Sequence, residues 1–144
     1  MRESYIEMNK RHQKTINELP IYWAFSDKQL NKVLEELNIT KDELMSGPSG
    51  SIIKKTDKDM VLNALKELDL EMEKALDDMD FFKDAVIYEM GNHEYQINCQ
   101  GDYDVLSSLG FNVRYEKEWE CLSEEQRVTY IKARREYLSN CEDW

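Results

Sequence analysis

The sequence predicts a mainly α fold, or α+β with a minor two- or three-stranded antiparallel sheet. Three observations carry that reading. Glycine and proline are scarce, five and two in 144 residues, while Glu, Lys, Leu and Met are abundant, a balance that favours helices. Apolar residues recur at three- and four-residue spacing in several segments. Three Ser/Thr-x-x-Glu/Gln patterns mark helix starts. The length fits a single domain, 1–144, and such a chain buries roughly two thirds of its unfolded surface. With 41% apolar and 10% aromatic residues there is material for a core, which excludes wholesale disorder.

Residues 2–19 read as an amphipathic helix, with Tyr5, Ile6, Met8, His12, Ile16 and Leu19 near helical spacing. Pro20 ends it, because the residue before proline avoids the α region. The aromatic run 21–25 suits a strand. Ser26 and Gln29 form a capping box that opens a helix to about Asn38, burying Leu30, Val33, Leu34 and Leu37. Thr40 with Glu43 opens a short helix ending at Gly47. Gly47-Pro48-Ser49-Gly50 is the clearest loop. Residues 51–55 form a candidate strand able to pair with 21–25.

The longest helix is expected over 57–79, with a stripe of Val61, Leu65, Leu68, Met72, Leu76 and Met79. A further helix, 80–90, is expected to stop at Gly91-Asn92. The segment from His93 to Cys99 reads as extended. Asp102 caps a helix over 103–109 that Gly110 ends, and 111–115 is a brief strand. Ser123 with Gln126 caps a last helix, 124–140, with Val128, Ile131 and Leu138 on one side.

The formal net charge is -11. Such a chain is repelled by phosphate backbones and anionic membranes, which argues against direct nucleic-acid and membrane binding. Basic surfaces are its natural partners, including proteins that themselves bind nucleic acid. No apolar run approaches the ~20 residues of a membrane helix, and residues 1–5 lack the apolar core of a secretory signal. Cys99, Cys121 and Cys141 show no metal-ligand spacing and read as free thiols of a cytoplasmic protein.

The charge is concentrated. Residues 57–104 hold 14 acids and 4 bases; the rest of the chain holds 16 and 15. Glu67, Glu71 and Asp78 share a helical row with Lys74; Glu73, Asp77 and Asp80 run beside it, and Asp84 continues the pattern. Carboxylates one turn apart stand about 5.4 Å apart along the axis, and phosphates along one DNA strand are spaced about 3.4 Å. Two adjacent rows could therefore imitate a duplex, with Tyr88, Tyr95 and Tyr103 adding specificity. The alternative is a solvated face with no partner. Arg127, Lys132, Arg134 and Arg135 give the last helix the opposite bias, expected to serve packing beside the acidic segment.

No zincin, EF-hand, P-loop, dinucleotide-binding or nucleophile-elbow motif occurs. No catalytic residue, metal or cofactor is expected, and the chain reads as no enzyme. Glu89 and His93 are four residues apart, but a helix stop at Gly91-Asn92 would separate them. Asn92-His93-Glu94-Tyr95 is polar and dense, the best small-molecule or surface-contact candidate should one exist.

Two stretches carry a resemblance. One is Trp23 to Leu30 leading through Leu34 and Leu37 to Gly50, Ile52, Lys54, Lys55 and Asp57. The other is Tyr88 to Tyr95, then Asp102 and Leu106 to Gly110. Together, over residues 20–110, they resemble an uncharacterised family of small proteins carried by phages and mobile elements of Gram-positive bacteria. Pro48-Ser49 departs from the glycine-rich turn usual there, and the last thirty residues lie outside the resemblance. That family has no established activity to carry over. The resemblance implies a phage-type context, in which small acidic proteins often inhibit host defences and some imitate DNA. The expectation is therefore an inhibitor of a host nucleic-acid-binding defence protein such as a CRISPR effector. The alternative expectation is a self-associating structural or regulatory module without catalytic activity.

Overall fold

A computed structural model describes residues 3–93, 95, 101–114 and 116–142. The chain divides into two compact units, one of residues 1–9 and 69–144, the other of residues 10–68. Its elements run in the order α1 (Tyr5–Glu18), β1 (Ile21–Tyr22), α2 (Asp27–Leu37), β2 (Leu44–Ser46), β3 (Ile52–Lys54), α3 (Lys58–Ala75), α4 (Met79–Asn92), α5 (Gly101–Ser108) and α6 (Glu124–Glu142), with short 3-10 turns between some of them. The architecture is mainly helical with a minor antiparallel sheet.

In the smaller unit the sheet order is β1-β3-β2. β3 pairs with β1 through Ile21↔Ile53 and Tyr22↔Ile52, the pairing expected from the two apolar runs. β2 was expected to be helical. The Thr40–Glu43 box does form, with the Thr40 N–H donating to Glu43 Oε2 at 2.8 Å, but it supports one 3-10 turn over Lys41–Glu43. Leu44, Met45 and Ser46 then pair with Lys54, Ile53 and Ile52. Tertiary pairing overrides the local helix signal there. Ile53, at the centre of the sheet, is buried. The β2–β3 turn needs Gly47: an added Cβ would lie 2.6 Å from Ser51 Oγ, and that hydroxyl is fixed by donating to Pro48 O at 2.6 Å.

α2 begins as expected. Ser26 Oγ accepts from the Gln29 N–H at 3.2 Å, and Gln29 Oε1 accepts from the Phe25 N–H at 2.7 Å. It ends at Asn38, in the left-handed region. Its four leucines and valines are only half-buried, and no residue of α2 is fully buried.

The larger unit is organised around α4, which packs chiefly along α6 and also against α5. Phe81, Phe82, Ala85, Val86, Glu89 and Met90 are buried, a stripe at one-, four- and five-residue spacing that holds one face inward. Around it lie Tyr5 and Met8 of α1, Leu76, Val105, Leu106, Leu109, Leu122, Tyr130 and Ala133. The stretch 57–79 is not one helix. Asp78 leaves the helical path and caps α4, its Oδ1 accepting from the N–H groups of Asp80 and Phe81. That break leaves α6, at 19 residues, the longest helix.

α6 faces the core differently from the expectation. Gln126, Tyr130 and Ala133 are buried, whereas Val128 is exposed. The reason is that Tyr130, although polar at its tip, finds the half-buried Asp102 carboxylate as acceptor and so can carry the larger apolar body inward. Ser123 and Gln126 cap it reciprocally as expected. Asp102 lies inside the first turn of α5 rather than capping it. Gly110, at φ +90, ends α5 in a Schellman motif, the Phe111 N–H reaching Leu106 O at 3.1 Å. Residues 111–114 form no strand; Phe111 packs edge-on against Phe82 instead. The extended segment expected up to Cys99 lies, apart from His93 and Tyr95, outside the described residues.

Candidate functional site

Three polar features of the larger unit are candidates, and each follows from where α4 and its neighbours place their side chains. The first is the acidic segment. By sequence, the larger unit holds 21 acids and 9 bases, a net of -12, and the smaller holds 9 and 10, a net of +1. The protein's negative charge is therefore segregated in one unit. From the end of α3, through the turn that follows, to the first half of α4, Asp69, Glu71, Glu73, Asp77, Asp80 and Asp84 are exposed. Asp80 also lies in the first turn of α4, where a carboxylate is favoured by the helix dipole.

The expected contact residues are not all presented alike. Glu67 is exposed on the part of α3 that belongs to the smaller unit. Asp78 is half-buried and spent on the α4 cap. Tyr88 is exposed and stacks in a tilted pair with Tyr5, 5.5 Å between centroids. Tyr95 is buried, so it faces the core and not a partner. Lys83 on α4 pairs with Glu136 on α6 at 2.6 Å. Both are over 40% exposed, so the pair contributes little.

The second feature is a polar cluster at the C-terminal end of α4. The helix runs through Gly91 to Asn92 with ordinary helical geometry, so Gly91-Asn92 does not interrupt it at the expected place. Glu89 and His93 therefore do meet: His93 Nε2 lies 3.3 Å from Glu89 Oε2. Glu89 is buried, and its Oε1 accepts from the Tyr5 hydroxyl at 2.6 Å. Burial first, and the bond to Glu89 second, push the Tyr5 phenol well above its ordinary pKa.

His93 Nε2 also lies 2.7 Å from Ser108 Oγ. A serine, a histidine and a glutamate are thus adjacent, but not as a catalytic relay. In a relay the serine and the carboxylate sit on opposite ring nitrogens. Here both are at Nε2. The Ser108 hydroxyl donates to Asp104 O at 2.9 Å, and the tautomer that satisfies both contacts has Nε2–H donating to Ser108 Oγ. Nothing in that arrangement withdraws a proton from Ser108. It ties α4 to α5. Glu94, expected beside His93, lies outside the described residues.

The third feature was not singled out as a pair of contacts in the sequence. Asp102 Oδ1 accepts from Tyr95 at 2.7 Å and from Tyr130 at 2.6 Å. Arg134 approaches Asp102 Oδ2 at 4.0 Å and stacks over Trp119, 5.8 Å to the ring centroid. Trp119 meets Tyr130 edge to face at 5.2 Å, and its carbonyl accepts from Arg127 Nε at 2.9 Å. Burial, then the bond to Asp102, push the Tyr95 phenol up to about 12, and the same two causes push Tyr130 up further. Burial also pushes the Cys121 thiol up, which disfavours the reactive thiolate. Two of the four basic residues of α6, Arg127 and Arg134, are thus engaged within the fold, while Lys132 and Arg135 are exposed.

Among the described residues no group of three or more His, Cys, Asp or Glu is placed to hold a metal ion. No described helix is long and apolar enough to cross a membrane.

These features define a small, mainly helical α+β protein with a charge-segregated surface and buried tyrosine–carboxylate ties. Residues 4–133 match a family of unknown function (DUF7659), and the chain belongs to that family. No curated protein and no solved structure matches it.

Proposed function

We propose that this protein is a non-catalytic binding protein whose acidic segment engages the basic surface of a nucleic-acid-binding protein. The observation that carries the reading is the segregation of charge, with -12 on one unit and +1 on the other. Were the acids there only to solvate the protein, an even distribution would serve as well. Concentrated on one unit, they attract a basic groove over a Debye length of about 8 Å and speed encounter. The finer reading makes the partner a defence protein of a bacterial host, such as a CRISPR effector, met in the cytoplasm and inhibited by DNA mimicry. That part is supported by the resemblance to small proteins of phages and mobile elements.

The test is capture from nuclease-treated bacterial lysate, comparing the wild type with the triple variant Glu73→Lys, Asp77→Lys and Asp84→Lys. These three are exposed, and the substitution spares the Asp78 cap. Wild type should retain basic nucleic-acid-binding proteins at low salt and release them at high salt. The folded triple variant should retain none. Equal capture by both proteins overturns the proposal.

A further inference from the structure

The exposed face of α2 carries a charge order that runs against its own macrodipole. Asn31, Lys32 and Glu35 lie three, four and seven residues after Lys28, so the four share a face. With Ser26 and Gln29 they line a shallow depression. Its basic residues stand toward the helix N-terminus, and Glu35 and Glu36 stand in the last turn, which holds no basic residue. The macrodipole favours the reverse order at both ends. Only Asp27, off this face, has the favoured sign. Lys28 and Lys32 are also like charges four residues apart, an unfavourable spacing. Among the described residues, Lys28, Lys32 and Glu35 form no ion pair.

A second helix of the same sequence, laid antiparallel, offsets the unfavourable charges at the two ends of the face. A two-fold axis between Asn31 and Lys32 sets Lys28 of one copy against Glu35 of the other, twice. It also opposes the two macrodipoles.

Beside the start of this face stand two aromatic side chains that the fold leaves open. Trp23 is 50% exposed and Phe25 is 82% exposed. Their rings stack at 6.4 Å with 19° between planes, and the Phe25–Gln29 hydrogen bond holds them against the first turn of α2. Exposed, pre-stacked Trp and Phe are the side chains that anchor protein interfaces. The unit that bears them has a net charge of +1. A second copy of a chain with net charge -11 meets least repulsion there.

We propose that the α2 face, Lys28 to Glu35 with Trp23 and Phe25 at its edge, is a self-association surface for an antiparallel second copy of this chain. The inference is independent of the acidic-segment reading, since it uses the other unit and another partner.

Sedimentation of the full chain should show a concentration-dependent rise from 17.2 kDa toward twice that mass by about 200 μM, as for a Kd on the order of 100 μM. Lys28→Glu and Glu35→Lys should each weaken association by at least about tenfold, because each turns both symmetric pairs repulsive. An equimolar mixture of the two variants should associate again, as a heterodimer, since every pair is then opposite in sign. Circular dichroism verifies that the variants stay folded, as their exposure leads one to expect. Phe25→Ala should also weaken association. A wild type that stays monomeric at 200 μM, or a mixture that associates no better than either variant alone, overturns the proposal.

Discussion

Replacing Asp102 with alanine removes a carboxylate oxygen that accepts from two phenols, Tyr95 at 2.7 Å and Tyr130 at 2.6 Å. Tyr130 is fully buried and Tyr95 is 5% exposed, so neither hydroxyl can turn to bulk water. An unsatisfied buried hydroxyl costs about 1–3 kcal/mol. Water entering the space left by the carboxylate recovers part of that for the more open of the two. The expected loss is about 2–4 kcal/mol, or about 5–15 °C in Tm for a chain this long. Arg134 adds little, since its contact is long and partly exposed. Asp102→Asn keeps an acceptor oxygen and should cost less, about 1 kcal/mol. The assay is urea unfolding followed by tryptophan fluorescence, because Trp119 packs directly on Tyr130. Crossing Asp102→Ala with Tyr130→Phe closes a double-mutant cycle, and the coupling should reach about 1 kcal/mol. An Asp102→Ala protein within about 0.5 kcal/mol of wild type, or a cycle that is simply additive, would refute the reasoning.

Three further outcomes are expected. Gly91→Ala should stabilise the protein by about 0.5–1 kcal/mol, because Gly91 is helical and exposed and an added Cβ would meet only Tyr137 Cε2 at 3.9 Å; a lower thermal midpoint would contradict this. Ser26→Ala should cost about 1 kcal/mol through the lost bond to the Gln29 N–H, read as a lower urea midpoint. In alkali, Tyr5, Tyr95 and Tyr130 are held protonated by the fold. Their folded pKa values lie above the ordinary value of about 10, so their contribution to stability is complete below pH 10 and is lost as pH rises toward 12 and beyond. Absorbance at 295 nm should show at least three of the eight tyrosines ionising late, together with unfolding. A single wave of eight near pH 10, with the fold intact, would show that the ties do not exist.

Local signals and tertiary structure divide the sequence between them in a physically consistent way. Ser26-x-x-Gln29 and Ser123-x-x-Gln126 announce helices because a cap is a bond within four residues. Ser4-x-x-Glu7 is the same signal and forms the same bonds at the start of α1, so that boundary was readable too. The β1–β3 pairing follows from two short apolar runs. Where the outcome depends on what lies across the core, the local pattern misleads. Leu44 to Ser46 pair with β3 although a capping box precedes them. α4 continues through Gly91 because it is packed along its length against α6, which outweighs the roughly 1 kcal/mol cost of a helical glycine.

Tyr130 turns inward because Asp102, 28 residues earlier, receives its hydroxyl. No window of sequence contains both. The acidic segment shows the same division. Its composition is plain in the sequence, but that Asp78 is a cap and Tyr95 a core residue depends on packing. So does the exposure of Glu73, Asp77 and Asp84.

The central claim is that those exposed carboxylates occupy a surface that would otherwise hold nucleic acid. The most direct measurement is elution of the captured partner from immobilised protein by a short double-stranded DNA at constant ionic strength. Release that rises with duplex concentration and saturates is expected, since protein and DNA then compete for one basic groove. A partner that stays bound while also binding the duplex would contradict the claim and leave the acidic segment a solvating surface.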